Sequence, residues 1–233
     1  MTFACGDDVH HATVVLANGH EMSGLTPTAA LPLYAVRCQV NHLPATAPLA
    51  ALRQVLCFDG YLTPQSPGFA SHCLGASYQR GDTGTDYRDS EQQHNLQRLR
   101  ACLPDAPWLD AVDIHGRQAR CGVRDHLPLA GNVPDFEATL RAYGNLAQPL
   151  PEGATRPTAP GYANLFMLGG LSSRGLCSAP LAAEIVAAQI FGEPLPVTRT
   201  VAQALNPNRF WVRKLLKGRE IAQPRRFPPV KGI

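Results

Sequence analysis

Residues 164–192 constrain the fold of this 233-residue chain more than any other stretch. The apolar run LFML at 165–168 predicts a short buried strand that ends at Gly169-Gly170, where the backbone is free to turn sharply. A largely apolar segment follows, in which Ser178 is the expected helix N-cap, Pro180 fits the first turn and Gly192 fits the C-cap. The stretch therefore predicts a strand, a glycine-rich turn and a helix buried against a sheet.

A turn of this kind directs unpaired backbone N–H groups and the positive end of a helix dipole at one place. That geometry suits an anion or the electron-rich edge of a cofactor. A buried strand-to-helix connection also needs glycines for purely structural reasons, so the pattern leaves both interpretations open. The sequence contains neither the phosphate-binding G-x-x-x-x-G-K-[ST] loop nor a complete G-x-G-x-x-G dinucleotide fingerprint.

Short strands separated by turns are expected in much of the remaining chain. Strands are predicted at 12–16 and 31–40, and an antiparallel pair within 55–78 is joined around Pro67-Gly68. Helical periodicity predicts a helix at Asp89–Cys102, and the proline-rich stretch 134–161 is expected to be a surface excursion. The expected fold class is α/β with an antiparallel sheet.

Charge is distributed unevenly along the chain. The net charge is +3, yet the last 25 residues hold eight lysines and arginines against Glu220 alone, which leaves the preceding 208 residues at about −4. A basic tail suggests contact with a polyanion, and a merely solubilising tail is the alternative. Seven cysteines without a C-x-x-C pair predict free thiols and no metal site. No signal peptide or membrane-length apolar run is visible, so a cytoplasmic protein is expected.

Six stretches carry a resemblance to a known family. They read VVLANGH, LPLYAVRCQV, GYLTP with HCLGASYQRG, ARCGVRDHLPLAGNVPD, LFMLGGLSSRGLCSAPLAAEIVAAQ and ALNPNRFWVRKLLKG. Together they resemble the flavin-dependent oxidoreductase part of the bifunctional tRNA 5-methylaminomethyl-2-thiouridine biosynthesis proteins, a branch of the D-amino-acid-oxidase and glycine-oxidase superfamily. The last stretch is distinctive of the tRNA-modifying branch.

This resemblance implies a partial FAD-dependent, amino-acid-oxidase-like fold of two domains. Residues 1–28 and 120–195 would belong to the flavin domain, residues 29–119 to the substrate domain, and residues 196–233 to a basic C-terminal tail. In the family, the G-x-G-x-x-G turn that holds the FAD pyrophosphate lies N-terminal to every stretch matched here. The chain is therefore expected to be a C-terminal fragment, with the missing N-terminal half or a methyltransferase domain as a partner.

The resemblance also implies where FAD would bind. Asn18 and Gly19 would lie near the dinucleotide part of FAD, and Gln39 near the flavin, with Cys38 where the family usually has glycine. The turn after the opening strand would run along the flavin ring, with the following helix N-terminus facing the ring edge that gains negative charge on reduction. That turn consists of Gly170, Leu171, Ser172, Ser173, Arg174, Gly175 and Leu176.

Substrate binding is implied for Arg124 and Tyr61. Arg124 would pair with a substrate carboxylate through its planar guanidinium. In the family, a longer interval separates this arginine from a following Arg-Asp-His-Leu-Pro segment, whereas here one Arg124-Asp125 stands for both. Arg124 can therefore correspond instead to the downstream structural arginine. Tyr61 would line the same pocket, or would only pack across two strands.

The implied reaction removes the carboxymethyl group from 5-carboxymethylaminomethyl-(2-thio)uridine at the tRNA wobble position. A hydride leaves the carbon next to the amine for the oxidised flavin, and the resulting imine hydrolyses. Two alternatives stay open: a small-molecule amine or glycine oxidase, and a non-catalytic truncated remnant. The residues expected to meet tRNA phosphates are Arg209, Arg213, Lys214, Lys217 and Arg219.

Overall fold

The computed structural model describes residues 9–65, 68, 70–106, 118–123, 126–144 and 158–223. In chain order the elements are β1 (Val14–Leu16), a 3-10 helix (Gly19–Gly24), β2 (Leu33–Cys38), β3 (Asn41–Pro44), α1 (Ala47–Ala50), β4 (Leu56–Phe58), β5 (Gly60–Leu62), β6 (Ser71–Gly75), β7 (Gln79–Arg80), α2 (Asp89–Cys102), β8 (Gln118–Val123), β9 (Leu129–Pro134), α3 (Phe136–Tyr143), β10 (Gly161–Gly169), a second 3-10 helix (Ser172–Arg174), α4 (Gly175–Phe191), α5 (Arg199–Leu205) and α6 (Arg209–Leu215). The elements form two compact units, Met1–Tyr34 with Cys121–Ile233 and, between them in sequence, Ala35–Arg120.

A three-stranded sheet in the order β1-β10-β9 lies at the centre of the first unit. β1 runs parallel to β10, with Val14 opposite Leu165 and Leu16 opposite Met167, whereas β9 runs antiparallel to β10. Because side chains alternate along a strand, the two faces of this sheet enter different cores.

One face of the sheet packs with α3 and α6, and the other packs with α4. The first core contains Met167, Val133 and Leu16 together with residues of α3 and α6. Within it, the rings of Phe136 and Trp211 meet edge to face, with their centroids 5.3 Å apart. The second core contains Phe166 and Ala130 of the sheet with Ala182, Ile185 and Val186 of α4. The short basic helix α6 is thus part of the first unit's core.

The structure corrects the expected start and surroundings of α4. The helix begins at Gly175, three residues before the predicted N-cap Ser178, whose hydroxyl instead donates to the Arg174 carbonyl at 2.9 Å. Pro180 consequently lies inside the helix. The C-cap prediction is confirmed, because Gly192 adopts a left-handed conformation with φ +69°. One side of the helix packs against the sheet, as predicted, whereas Leu176 is 98% exposed and Phe191 75% exposed.

The second unit contains an antiparallel four-stranded sheet in the order β3-β6-β5-β4. A further sheet of three strands has the order β7-β2-β8. Leu43, Leu62 and Leu74 of the four-stranded sheet pack against Leu96 and Leu99 of α2. The predicted helix at Asp89–Cys102 and the predicted antiparallel pairing within 55–78 are both confirmed.

The sequence analysis did not predict the four-residue helix α1 or the longer helices α3 and α5. α3 lies in the stretch expected to be a surface excursion, where Asp135 caps it by accepting a hydrogen bond from the Ala138 N–H at 2.9 Å. α5 begins after Thr198, whose hydroxyl oxygen accepts from the Val201 N–H. The predicted fold class, α/β with antiparallel sheets, is confirmed. Within the described residues, no helix is both long and apolar enough to cross a membrane.

Candidate functional site

The parallel pairing of β1 and β10 brings two predicted site segments to one edge of the sheet. β1 ends at Leu16 and β10 at Gly169, and Leu16 lies opposite Met167 in the register. The carboxyl ends of parallel neighbours share an edge, so the turn with Asn18 and Gly19 lies beside the turn that begins at Gly169-Gly170. Ligands of open α/β sheets bind outside this edge.

Met22 packs the first turn onto the second. It belongs to the 3-10 helix that follows Gly19, and its side chain is fully buried. A Cβ built on Gly169 would lie 2.1 Å from Met22 Cε, so glycine at position 169 leaves the space that the methionine occupies. The Thr28 hydroxyl donates to the Met22 carbonyl and holds this helix. Sequence reasoning missed Met22, because a lone methionine outside a periodic pattern carries no signal of such a contact.

The turn after β10 has an unusual backbone path. Gly170 has φ +60° and Ser172 has φ +53°, a conformation that is costly for a residue with a side chain. The Ser172 hydroxyl donates to the Gly170 carbonyl at 3.3 Å and supports this conformation. The chain then makes one 3-10 turn and enters α4 at Gly175.

The N-terminus of α4 lies at the end of this turn and is open. No side chain caps the first turn of α4 within the described residues. Ser173 and Arg174 are exposed, and Leu176 is almost completely so. Amide groups and the positive end of the helix dipole therefore face the same open edge as the two turns.

Asn18 and Gly19 are arranged to let a ligand approach. Asn18 is exposed, and Gly19 has φ +66° with no atom within 4 Å of the position that a Cβ would take. Backbone at this turn can accordingly come close to a bound group without moving other residues.

Gln39 lies in the second unit, where its side chain is fully buried in a polar network. Its Oε1 accepts from the Arg88 N–H at 2.9 Å and from Arg37 Nη2 at 3.2 Å, and its Nε2 donates to the Arg88 carbonyl at 2.9 Å. Arg37 is buried too and pairs with Glu91 at 2.7 Å. The side chain of Gln39 thus bonds protein partners, and its place beside a flavin stays a prediction, as does the effect of the buried Cys38 next to it.

Arg88 links the same network to the loop at its edge. Its Nη1 donates to Asp82 Oδ2 at 2.6 Å, and the Gly84 N–H donates to Asp82 Oδ1 at 2.8 Å. The hydrogen bond from Arg88, followed by that from Gly84, holds the pKa of Asp82 below its ordinary value of 3.8.

We expect the Asp82 carboxyl to titrate below pH 3.8 in the folded protein. Its contribution to stability is complete above the unfolded pKa and is lost as the pH falls through the lower folded pKa. Carbonyl NMR of Asp82 across this range measures the shift, and Arg88→Gln should raise the pKa towards the ordinary value. An unchanged titration in Arg88→Gln would contradict the assigned cause.

Tyr61 packs across two strands of the second unit. It lies opposite Gly75, and a Cβ at Gly75 would come within 2.5 Å of the tyrosine ring and hydroxyl. Burial raises the pKa of the neighbouring Cys73 thiol, and a hydrogen bond with Tyr61 partly offsets this effect. These contacts lie on the strand face opposite the leucines that meet α2. The role of Tyr61 in a substrate pocket stays a prediction.

The remaining predicted residues have different outcomes. Arg124 lies outside the described residues. Arg213, Lys214, Lys217 and Arg219 are exposed. Arg209 was expected to face outward with them, but its side chain is buried, because its guanidinium donates to the Leu127 carbonyl at 2.7 Å and the Pro128 carbonyl at 3.1 Å.

A sequence profile described as "FAD dependent oxidoreductase", that of the DAO family, matches residues 3–189. The chain belongs to the DAO family of FAD-dependent oxidoreductases. This membership agrees with two glycine-containing turns meeting at the carboxyl ends of parallel strands, and it establishes FAD as the cofactor of the family.

Solved structures show the same fold. The chain is similar to glycine oxidase from Geobacillus kaustophilus at 18% identity and a TM-score of 0.59, over 82% of this chain and 44% of that one. It is similar to a modified fructosyl peptide oxidase from Aspergillus nidulans at 12% identity and a TM-score of 0.60, over 97% of this chain and 50% of that one. It is also similar to fructosamine oxidase from Aspergillus fumigatus at 13% identity and a TM-score of 0.58, over 94% of this chain and 51% of that one. The DAO-family chain therefore spans 44–51% of the length of these structures.

Proposed function

We propose that this chain carries the flavin-ring side of an FAD site and acts in the oxidation of a C–N bond. The observation that carries the proposal is the pair of turns, Asn18-Gly19 and Gly170 to Leu176, at one edge of the parallel pair β1 and β10. Positive-φ backbone and an open helix N-terminus at this edge fit a flat, electron-rich ring. The chain contains no G-x-G-x-x-G turn, so the residues present fit the ring rather than the pyrophosphate.

The chain's own contribution to the chemistry is binding and orientation. When bound, FAD supplies the acceptor for a hydride from the carbon next to the substrate amine. Amides of the turn and of α4 would stabilise negative charge at the edge of the ring. Arg124 would hold the substrate carboxylate, and Tyr61 would line the pocket. After the C–H bond is lost, water adds to the imine and the C–N bond breaks.

The proposed substrate is 5-carboxymethylaminomethyl-(2-thio)uridine at the wobble position of tRNA. The support comes from the C-terminal stretch ALNPNRFWVRKLLKG and from the exposure of its cations. Trp211 and Leu215 anchor α6 in the core, so Arg213, Lys214, Lys217 and Arg219 project from the surface of the first unit. Such a cluster suits tRNA phosphates.

A second polypeptide segment carrying the dinucleotide-binding half of the fold is the proposed partner. Support comes from an apolar stripe along the outer side of α4, which consists of Leu176, Pro180, Ala183, Ala187 and Phe191 at helical spacing. Among the described residues β1 forms an edge of its sheet, and an edge strand presents backbone N–H and C=O groups to which a further strand can pair. A preceding methyltransferase domain is a further proposed neighbour.

The test of this function measures nucleosides. The 233-residue chain, supplied with FAD, is incubated with tRNA that contains 5-carboxymethylaminomethyluridine, and the digested nucleosides are quantified by mass spectrometry. Conversion to the 5-aminomethyl nucleoside with release of glyoxylate is expected. If FAD binds but the nucleoside is not converted, the ring site is retained and catalysis by this chain alone is contradicted. That result is the one expected for a non-catalytic truncated remnant.

A small-molecule amine or glycine oxidase is the other alternative, favoured by the similarity of the fold to that of glycine oxidase. It needs the same ring site but no basic surface. Glyoxylate formation from free glycine, with the modified tRNA left unchanged, would support this alternative over the tRNA reaction.

We expect Gly170→Ala to weaken flavin binding about tenfold or more, because alanine strains the turn that faces the ring. Gly192→Ala is the matched control: it places the same strain at φ +69° at the far end of α4, about 25 Å away. Both variants should lose about 1–2 kcal/mol of stability. Titration of flavin fluorescence measures the affinities. Equal losses of affinity in both variants would contradict the assignment of the Gly170 turn to the flavin site.

We expect Arg124→Leu to reduce affinity for carboxymethylated tRNA about 10-fold or more, because a charged hydrogen-bonded pair is lost. Affinity for the same tRNA with an unmodified wobble uridine should stay the same. The comparison uses the chain joined to a dinucleotide-binding half. Equal affinities of the variant and the parent protein for the carboxymethylated tRNA would assign Arg124 to the structural role instead.

A further inference from the structure

Arg209 occupies a position unlike that of the exposed cations that follow it. Its side chain is 5% exposed, although it begins the basic helix α6. Besides its bonds to the carbonyls of Leu127 and Pro128, Nη1 donates to the Leu205 carbonyl at 3.2 Å. The guanidinium carbon lies 4.4 Å from the centre of the Phe210 ring. Arg209 therefore points inward while its helix presents other cations outward.

The neighbouring residues fix the same end of α6. Asn208 Nδ2 donates to Thr139 Oγ1 and to the Pro160 carbonyl, each at 2.7 Å. Pro160 immediately precedes β10, and Pro128 immediately precedes β9. The start of α6 is thus bonded to the residues that precede β9 and β10, which are antiparallel neighbours.

Arginine suits this position for a physical reason. A buried guanidinium must direct its N–H groups at acceptors, and the planar fork of Arg209 serves carbonyls on two separate segments at once. An ammonium group is a compact donor on a flexible stem and cannot reproduce this spread. The hydrogen bonds of Arg209 thus tie the start of α6 directly to residues 127–128.

We infer that Arg209 is a positioning residue that couples RNA bound on α6 to the segment that follows Arg124. This inference rests on the proposed tRNA function. Residues 127 and 128 lie three and four positions after Arg124 in the sequence. RNA phosphates on Lys214 and Lys217 restrict the motion of α6, and Arg209 transmits that restriction through its two carbonyl bonds.

Hydrogen–deuterium exchange of the full chain tests the inference. The probe is a fluorescent anticodon stem-loop that contains 5-carboxymethylaminomethyluridine, with affinity measured by anisotropy. At saturating RNA, exchange in the peptide containing residues 126–131 should slow about threefold or more, while the peptide containing 71–75 should not change. Lys217→Glu should weaken RNA binding and reduce the protection at equal RNA concentration.

Variants at Arg209 separate coupling from charge. Arg209→Gln and Arg209→Lys, at RNA concentrations that saturate each variant, should lose the RNA-dependent protection of 126–131. The lysine variant retains the charge, so its loss of protection would identify the carbonyl bonds as the cause. Full protection in both variants would overturn the role of Arg209.

The wild-type comparison keeps the test decisive even where an Arg209 variant does not fold. RNA binding without slower exchange at 126–131 would overturn the inference and leave the tRNA function intact. Failure of wild-type chain to bind the stem-loop would overturn both.

Discussion

Reversing three exposed cations of α6 should lower the affinity for tRNA about 100-fold or more at physiological salt. The variant carries Arg213→Glu, Lys214→Glu and Lys217→Glu, all at exposed positions of the helix or just after it. Removing phosphate contacts and adding like charge weakens the counterion-driven part of binding, which dominates affinity for nucleic acids. Anisotropy titrations with labelled tRNA at several salt concentrations measure the loss.

A charge-conserving variant is the matched control for this result. Arg213→Lys, Lys214→Arg and Lys217→Arg retain all three cations, and affinity should stay within about threefold of wild type. Thermal unfolding of both variants should resemble wild type, because the core side of α6 is formed by Trp211 and Leu215. Unchanged tRNA affinity after charge reversal would favour the small-molecule oxidase.

Arg37→Ala should destabilise the second unit by about 3–5 kcal/mol, the cost of leaving a buried charge without its partner. The side chains of Arg37 and Glu91 are 2% and 4% exposed, and 2.7 Å separates Arg37 Nε from Glu91 Oε1. The Arg37 guanidinium also donates to the carbonyls of Gly84 and Asp86 and to Gln39. Its removal leaves several buried acceptors unsatisfied.

Urea unfolding at neutral pH measures this loss, with Arg88→Ala as the control. The Arg88 side chain is 31% exposed, and its pairs with Asp82 and Asp86 are screened by solvent, so its removal should cost much less stability than removal of Arg37. Comparable losses in the two variants would show that the network is not centred on Arg37.

The sequence was sufficient for the parts of the fold that follow local rules. The apolar strand ending at Gly169, the C-cap at Gly192 and the helix at Asp89–Cys102 all follow from periodicity and from backbone freedom at glycine. It did not locate the start of α4, because a serine that looks like an N-cap can also donate to the carbonyl four residues earlier, as Ser178 does.

Contacts between distant segments could not be read from the sequence. In the sequence, Arg209 is indistinguishable from the exposed cations of the same basic helix. Its burial depends on the carbonyl groups of Leu127 and Pro128, which accept hydrogen bonds from its guanidinium. The contact between Met22 and Gly169 joins segments separated by almost 150 positions. The exposed apolar side of α4 is the opposite case, since the pattern indicated burial and the described residues leave Leu176 and Phe191 uncovered.

The candidate site was predicted in segments, and the parallel register joined two of them. Asn18-Gly19 and Gly170 to Leu176 were assigned through a resemblance, whereas their common edge follows from the pairing of Leu16 with Met167. Gln39 and Tyr61 belong to the second unit. Their side chains make protein contacts that periodicity does not reveal.

Titration of the wild-type chain with FAD and with lumiflavin tests the central claim most directly. Lumiflavin has the ring but no phosphates, and a site formed by the two turns holds the ring. The fluorescence of both ligands should therefore be quenched saturably, with dissociation constants within about threefold of each other. Binding of FAD without binding of lumiflavin, or saturable binding of neither, would contradict the assignment of these turns to the flavin ring.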